Sequence, residues 1–308
     1  MMANELIDFN AYPLNNMLKY LFIDKTTKKN IFWATNSYVE FGDGFDERDA
    51  ITEERVVQLN LQPRVNKSNE QQFDRTRKKA EVFTPSWICN KMNNHCDDEW
   101  FGKSNVFNYE EGQAWLVNDT RIPFAGKKSW EEYVDSRRLE ITCGEAPYIV
   151  SRYDAATGEV IPVEKRIGIL DRKLRVVNEN AQSEIEWLQW VYRAYQSVYG
   201  YEFQGDNLLL ARINLFLTIY EYMFAKWGKY PTLKEAKIVA NIVCWNIWQM
   251  DGMTGLLPYE HKITLRETSL FEEVNEDELY EAEPVECKIY DWRRDNSRTF
   301  NSVKRGNL

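Results

Sequence analysis

The sequence predicts an α/β fold built on a largely parallel sheet. Three observations point that way. LEITCGEAPY (139–148) opens as a strand, Leu139 and Ile141 alternating with polar neighbours, and turns sharply at Cys143 and Gly144. YGYEF (199–203) is a second short strand, and DNLLLARINLFLTIYEYMFAKW (206–227) follows it as a helix apolar on two faces, the pattern of an element buried between layers. TLKE (232–235) is a capping box, Thr232 as cap with Glu235 three residues later, and it starts a further helix through AKIVANIVC. In such sheets ligands sit outside the carboxyl ends of the strands, where Gly144 and Glu202 both fall.

The other elements follow in chain order. AYPLNNMLKYLF (11–22) has the spacing of a short helix, and KKNIFWATNSYVEF (28–41) reads as a strand or hairpin. The polar run 62–79 reads as an exposed connector. Thr84 and Pro85 open a helix with Trp87, Ile88 and Met92 facing inward. The stretch 97–135 offers hairpin elements, and 158–180 reads as a loop. Ile185, Leu188, Val191, Tyr192, Tyr195 and Val198 repeat at helical spacing over 184–198. FEEVNEDELYEAE (271–283) is an acidic linker, and VECKIYDW (285–292) alternates like a terminal strand. The expected organisation is an N-terminal extension (1–75), a central α/β domain (76–256), and a C-terminal linker with a strand (257–308).

The 308 residues, 44% of them hydrophobic, suffice for one large or two modest domains. Net charge is −9, which argues against a surface that grips nucleic acid everywhere but leaves room for a local basic face. With no run of about 18 apolar residues, no membrane span is expected. Five scattered cysteines and an N-terminus unlike a secretory signal lead to the expectation of reduced thiols and a cytoplasmic location. With two histidines, His95 and His261, His-based acid–base chemistry is not expected. Cys89, His95 and Cys96 lack a nearby second pair, so no metal site is expected. RTRKK (75–79) and DWRRDNSR (291–298) are the candidates for touching phosphate.

Several stretches, taken in order, resemble the adenine-N6 DNA methyltransferases of restriction–modification systems, in particular short proteins described as restriction endonuclease subunit M. KKAEVFTPSWICNKM (78–92) looks like that family's Phe-Thr-Pro segment. LEITCGEAPY resembles its Leu-Glu-Pro-x-Cys-Gly-x-Gly-x-Phe turn, and YGYEFQGDNLLLARINL (199–215) its acid-ended strand with Ala-Arg-x-Asn-Leu. NIVCWNIWQMDG (241–252) is a weaker likeness. The resemblance implies a Rossmann-like domain binding S-adenosyl-L-methionine. Phe83, Thr84, Pro85, Glu140, Cys143, Gly144, Glu202 and Asp251 would form the cofactor site. Glu140 would meet the α-amino group, Glu202 the ribose hydroxyls, and Asp251 the adenine amine. It also implies DNA, or a restriction or specificity subunit, as partner.

The sequence departs from the family in two places. Ala146 and Pro147 stand where a second glycine is usual, and no Asn/Asp-Pro-Pro-Tyr tetrapeptide occurs. In its place YDWRR (290–294) offers Asp291 as acceptor for the target amine and Trp292 or Tyr290 as stacking ring. Two readings result: a methyltransferase using Asp291 and Trp292, or a catalytically inactive subunit of that fold acting as an interaction protein.

Overall fold

The computed structural model describes residues 6–66, 84–124, 128–265 and 280–304. Its centre is a parallel sheet of three short strands, β3 (Arg138–Glu140), β4 (Val198–Glu202) and β5 (Ile247–Gln249), in the order β3-β4-β5. Glu140 pairs with Gly200, and Glu202 with Gln249, so the carboxyl ends lie side by side. Among the described residues three antiparallel strand pairs accompany it: β1 (Asn108–Glu111) with β2 (Ala114–Val117), β6 (Leu256–Leu265) with β7 (Tyr280–Glu286), and β8 (Lys288–Asp291) with β9 (Asn296–Thr299). The chain is therefore mixed helix and strand with a small parallel sheet.

Helices surround the sheet: α1 (Leu14–Leu21), α2 (Glu53–Leu59), α3 (Ser86–Phe101), α4 (Trp130–Asp135), α5 (Ile169–Asn180), α6 (Glu184–Gln196), α7 (Gly205–Trp227), α8 (Leu233–Asn246) and α9 (Phe300–Lys304). The expected capping box is in place, with the Glu235 amide donating to Thr232 Oγ1 and the Thr232 amide to Glu235 Oε2. Helix α7 is long and apolar enough to cross a membrane, but 78% of its most apolar 18-residue window is buried inside the protein. It is the central core helix. One apolar core runs without a break from Ile7 in the N-terminal region to Ile247 in β5.

Several local readings changed: the linker's described end, 280–283, lies in β7, and 285–292 is divided between β7 and β8 at Cys287. Residues 28–41 form turns with isolated bridges at Asn30 and Phe32 rather than a strand, because they wrap the sheet ends instead of joining them. Much of 158–180 is helix α5, whose apolar residues are interrupted by the buried trio Asp171, Arg172 and Lys173. In α6 the buried side is Trp187, Val191, Ala194 and Tyr195, while Ile185 is exposed. In α3 the inward face is polar: Cys89, Asn90, Asn93, Asn94 and Asp97 are buried, and Met92 is exposed. The cause is Arg172, whose guanidinium donates to Asp97 Oδ2 (2.6 Å), Asn90 Oδ1 (2.8 Å) and Asn94 Oδ1 (2.7 Å). A buried charge needs such partners, and the helix turns its polar side inward to supply them. The acidic linker falls largely, and Phe83 and RTRKK wholly, outside the described residues.

Candidate functional site

The segment 141–150 answers why a strand should end in Cys-Gly-Glu-Ala-Pro. Beyond β3 the chain passes through three left-handed residues, Thr142 (φ 47°), Gly144 (φ 54°) and Ala146 (φ 64°). This coil folds the backbone back across the neighbouring strand, where the Cys143 amide donates to Tyr201 O (2.8 Å). Gly200 in β4 makes room: a Cβ there would lie 3.1 Å from Cys143 Sγ. Beside Gly144 the space is open, since a Cβ built on it meets nothing within 4 Å. Ala146, in the place of the second glycine, is fully buried and carries the positive φ that a glycine would take without cost.

Glu145 anchors the turn. It accepts from the Arg64 amide (2.7 Å) and the Tyr153 hydroxyl (2.7 Å), tying the N-terminal region to the turn. Asn214, from the Ala-Arg-x-Asn-Leu segment, donates to Glu145 O and Tyr153 Oη. Arg212 of the same segment is fully buried and donates to Ile247 O (2.8 Å), Leu21 O (2.7 Å) and Ile23 O (3.2 Å). Both residues are scaffolding: one holds the turn, the other clamps α1 to β5.

Glu202 ends β4 directly beside Gly144. The Gly144 amide donates to its Oε2 (2.9 Å), and the amides of Phe203 (2.9 Å) and Gln204 (3.1 Å) to its Oε1. Burial holds the carboxyl above the ordinary range against these amides, which favour its charge. Oε1 already takes two amides, whereas Oε2 takes one and retains lone-pair capacity for a further donor. Glu140, at the tip of β3, accepts from the Tyr148 amide at Oε1 (3.5 Å), while Oε2 is enclosed with no hydrogen-bond partner among the described residues. Burial raises this carboxyl well above the usual value, and the nearby Glu202 adds to the rise. Burial likewise raises the Cys143 thiol, and the charges of Glu140 and Glu202 reinforce it, so Cys143 is a packing residue rather than a nucleophile.

Thr84 and Pro85 lead into α3 close by. The Ser86 amide donates to Asp154 Oδ2 (2.9 Å), and Glu140 and Asp154 both raise the pKa of the buried Cys89 thiol after desolvation, the main cause. Asp251 stands two residues beyond β5, where Met250 N–H donates to Glu202 O (3.1 Å). Its Oδ1 accepts from Met253 (2.8 Å) and Thr254 (3.3 Å), so it shapes its own turn.

Three aromatic residues join the strand tips that sequence reasoning passed over. Phe203 follows Glu202, and its ring lies 6.5 Å from Tyr259, which packs edge-on to Phe32 at 6.1 Å. Gln249 fixes Phe32 by accepting from its amide and donating to its carbonyl, both at 2.9 Å. An aromatic directly after a strand-terminal acid is a signal readable for Phe203. Phe32 and Tyr259 come from distant segments and have none.

Asp291 and Trp292 lie elsewhere. Asp291 pairs with Arg137 (3.3 Å), the residue before β3, and Trp292 Nε1 donates to Asn246 Oδ1 (2.7 Å), the residue before β5. Arg293 reaches Asp135 (2.7 Å), again ahead of β3. The catalytic pair expected from the sequence thus sits at the amino ends of the parallel strands, opposite Gly144 and Glu202. The reason is topological: β8 pairs with β9 in a separate hairpin and does not extend the central sheet. Comparison with known proteins finds no matching family model, no matching curated protein and no matching solved structure.

Proposed function

We propose that the chain is a Rossmann-like, methyltransferase-type subunit that holds a nucleoside cofactor of the S-adenosyl-L-methionine class at the carboxyl ends of β3 and β4. The observation that carries this reading is the contact between the Gly144 amide and the Glu202 carboxylate. It brings a glycine bend with open space beside it against an acid whose Oε2 can accept a further donor such as a ribose hydroxyl. The orphaned Oε2 of Glu140 suits an ammonium, and Phe203 offers a ring wall for a base. The donor set therefore fits such a cofactor, with Glu140, Gly144 and Glu202 of this chain as the holding residues.

Of the two roles open to such a subunit, the interaction protein is favoured over an enzyme acting through Asp291. No Asn/Asp-Pro-Pro-Tyr segment is present, and Asp291 and Trp292 are engaged at the other end of the strands. A restriction–modification assembly would supply catalysis from another chain. Calorimetry with S-adenosylmethionine tests the binding: micromolar to sub-millimolar affinity is expected, weakened roughly tenfold in Glu202→Gln by loss of about 1.4 kcal/mol of hydrogen bonding. Absence of binding at millimolar ligand removes the proposal. Labelled-methyl transfer to DNA that is lost in Asp291→Ala would replace the interaction role with an enzymatic one.

A further inference from the structure

We infer that the opposite end of the sheet carries a binding surface for single-stranded nucleic acid. A continuous ladder of rings and cations covers the amino ends of the strands. Lys28 Nζ sits 5.0 Å over the Trp245 ring, Trp245 packs on Tyr290 at 5.1 Å, and Tyr290 on Trp292 at 4.6 Å. The three rings are half-buried and pack on one another. Trp292 is held by Asn246, and the Tyr290 hydroxyl donates to Asp295 Oδ1 (2.7 Å).

Exposed cations surround these rings: Lys28, Arg137, Lys288, Arg293 and Arg294. The Lys288 amide donates to Thr26 Oγ1 (3.0 Å), which places it beside the Lys28 loop. Three acids, Asp135, Asp291 and Asp295, lie among them, and Arg137 and Arg293 pair with the first two. Among these named residues five cations face three acids, on a chain whose net charge is −9. Aromatic faces for bases beside cations for phosphates are the elements of single-strand recognition.

A cavity of about 240 Å³ opens next to Tyr290, walled by Leu139, Tyr199, Trp248 and Phe300 with Arg137 on its lining. It is smaller than the roughly 300–1,000 Å³ of drug-sized ligand sites, and so suits one ring system rather than an extended molecule. An unstacked base of the bound strand would occupy it, its phosphate towards Arg137.

Fluorescence anisotropy of the full chain with labelled 15-residue oligo-dT and oligo-U tests this. Binding is expected at about 50 mM salt, falling steeply by about 200 mM. Tyr290→Leu should weaken it roughly fivefold or more, and Tyr290→Phe should retain it. Arg294→Ala, at an exposed position, should lower the salt slope by about one. Glu202→Gln should leave it unchanged, which separates this surface from the nucleoside site. Preference between the two oligomers tells DNA from RNA. No binding at low salt, tighter binding of a duplex of equal length, or binding indifferent to both Tyr290→Leu and Arg294→Ala would overturn the inference.

Discussion

Gly200→Ala tests the central geometric relation, the crossing of the glycine turn over β4. A methyl group at residue 200 would lie 3.1 Å from Cys143 Sγ, 3.2 Å from Cys143 Cβ and 3.3 Å from Ile149 Cδ1. These are several tenths of an ångström inside ordinary contact distance. Cys143 cannot withdraw freely, because its amide is bonded to Tyr201 O and its carbonyl accepts from Ala146 (2.7 Å). Overpacking of this kind costs about 1–3 kcal/mol. Alanine recovers about 0.5–1 kcal/mol over glycine in a strand interior. The net expectation is a loss of about 0.5–2 kcal/mol in urea unfolding followed by circular dichroism. Repeating the substitution in a Cys143→Gly background removes two of the three close contacts, so the penalty should shrink by about 0.5 kcal/mol or more. A neutral or stabilising Gly200→Ala, or an equal penalty on both backgrounds, would refute the packing argument.

Two further outcomes follow from buried charge. Glu140 has a folded pKa raised above its unfolded value, so its contribution to stability is fully present below the unfolded value of about 4.3 and is lost as pH climbs through the folded one. Glu140→Gln should therefore match the parent near pH 4 and gain on it towards pH 7 in denaturant titrations; a variant less stable at pH 7, with no trend, would contradict this. Arg172→Met takes from Asp97 its closest cation, leaving Tyr133 and Arg138 beside it, and from Asn90 and Asn94 a charged donor, and should cost about 3–5 kcal/mol, measured by the same unfolding; a loss below about 1 kcal/mol would show that Arg172 does not organise α3.

Much of the site was legible along the chain. The capping box at Thr232, the apolar run of α7 and the strand ended by Glu202 carry their structure in local pattern, because periodicity and end-caps act over a few residues. Gly144 was readable for the same reason: a strand broken by Cys-Gly must turn there. The orientation of α3 was not readable. Its apolar residues suggested one face, and the buried guanidinium of Arg172, some eighty residues later, selected the other. Nor was the destination of Asp291 readable. Local alternation says that 285–292 is extended, but which strand it joins, and at which end of the sheet it stops, depends on pairing with 296–299 and on Arg137, Asn246 and Asp135. Sequence pattern settles the conformation of neighbours in the chain. Partners distant in the chain are chosen by burial and charge once the whole chain packs, and that choice separated the Gly144–Glu202 tips from Asp291 and Trp292 at the other end of the strands.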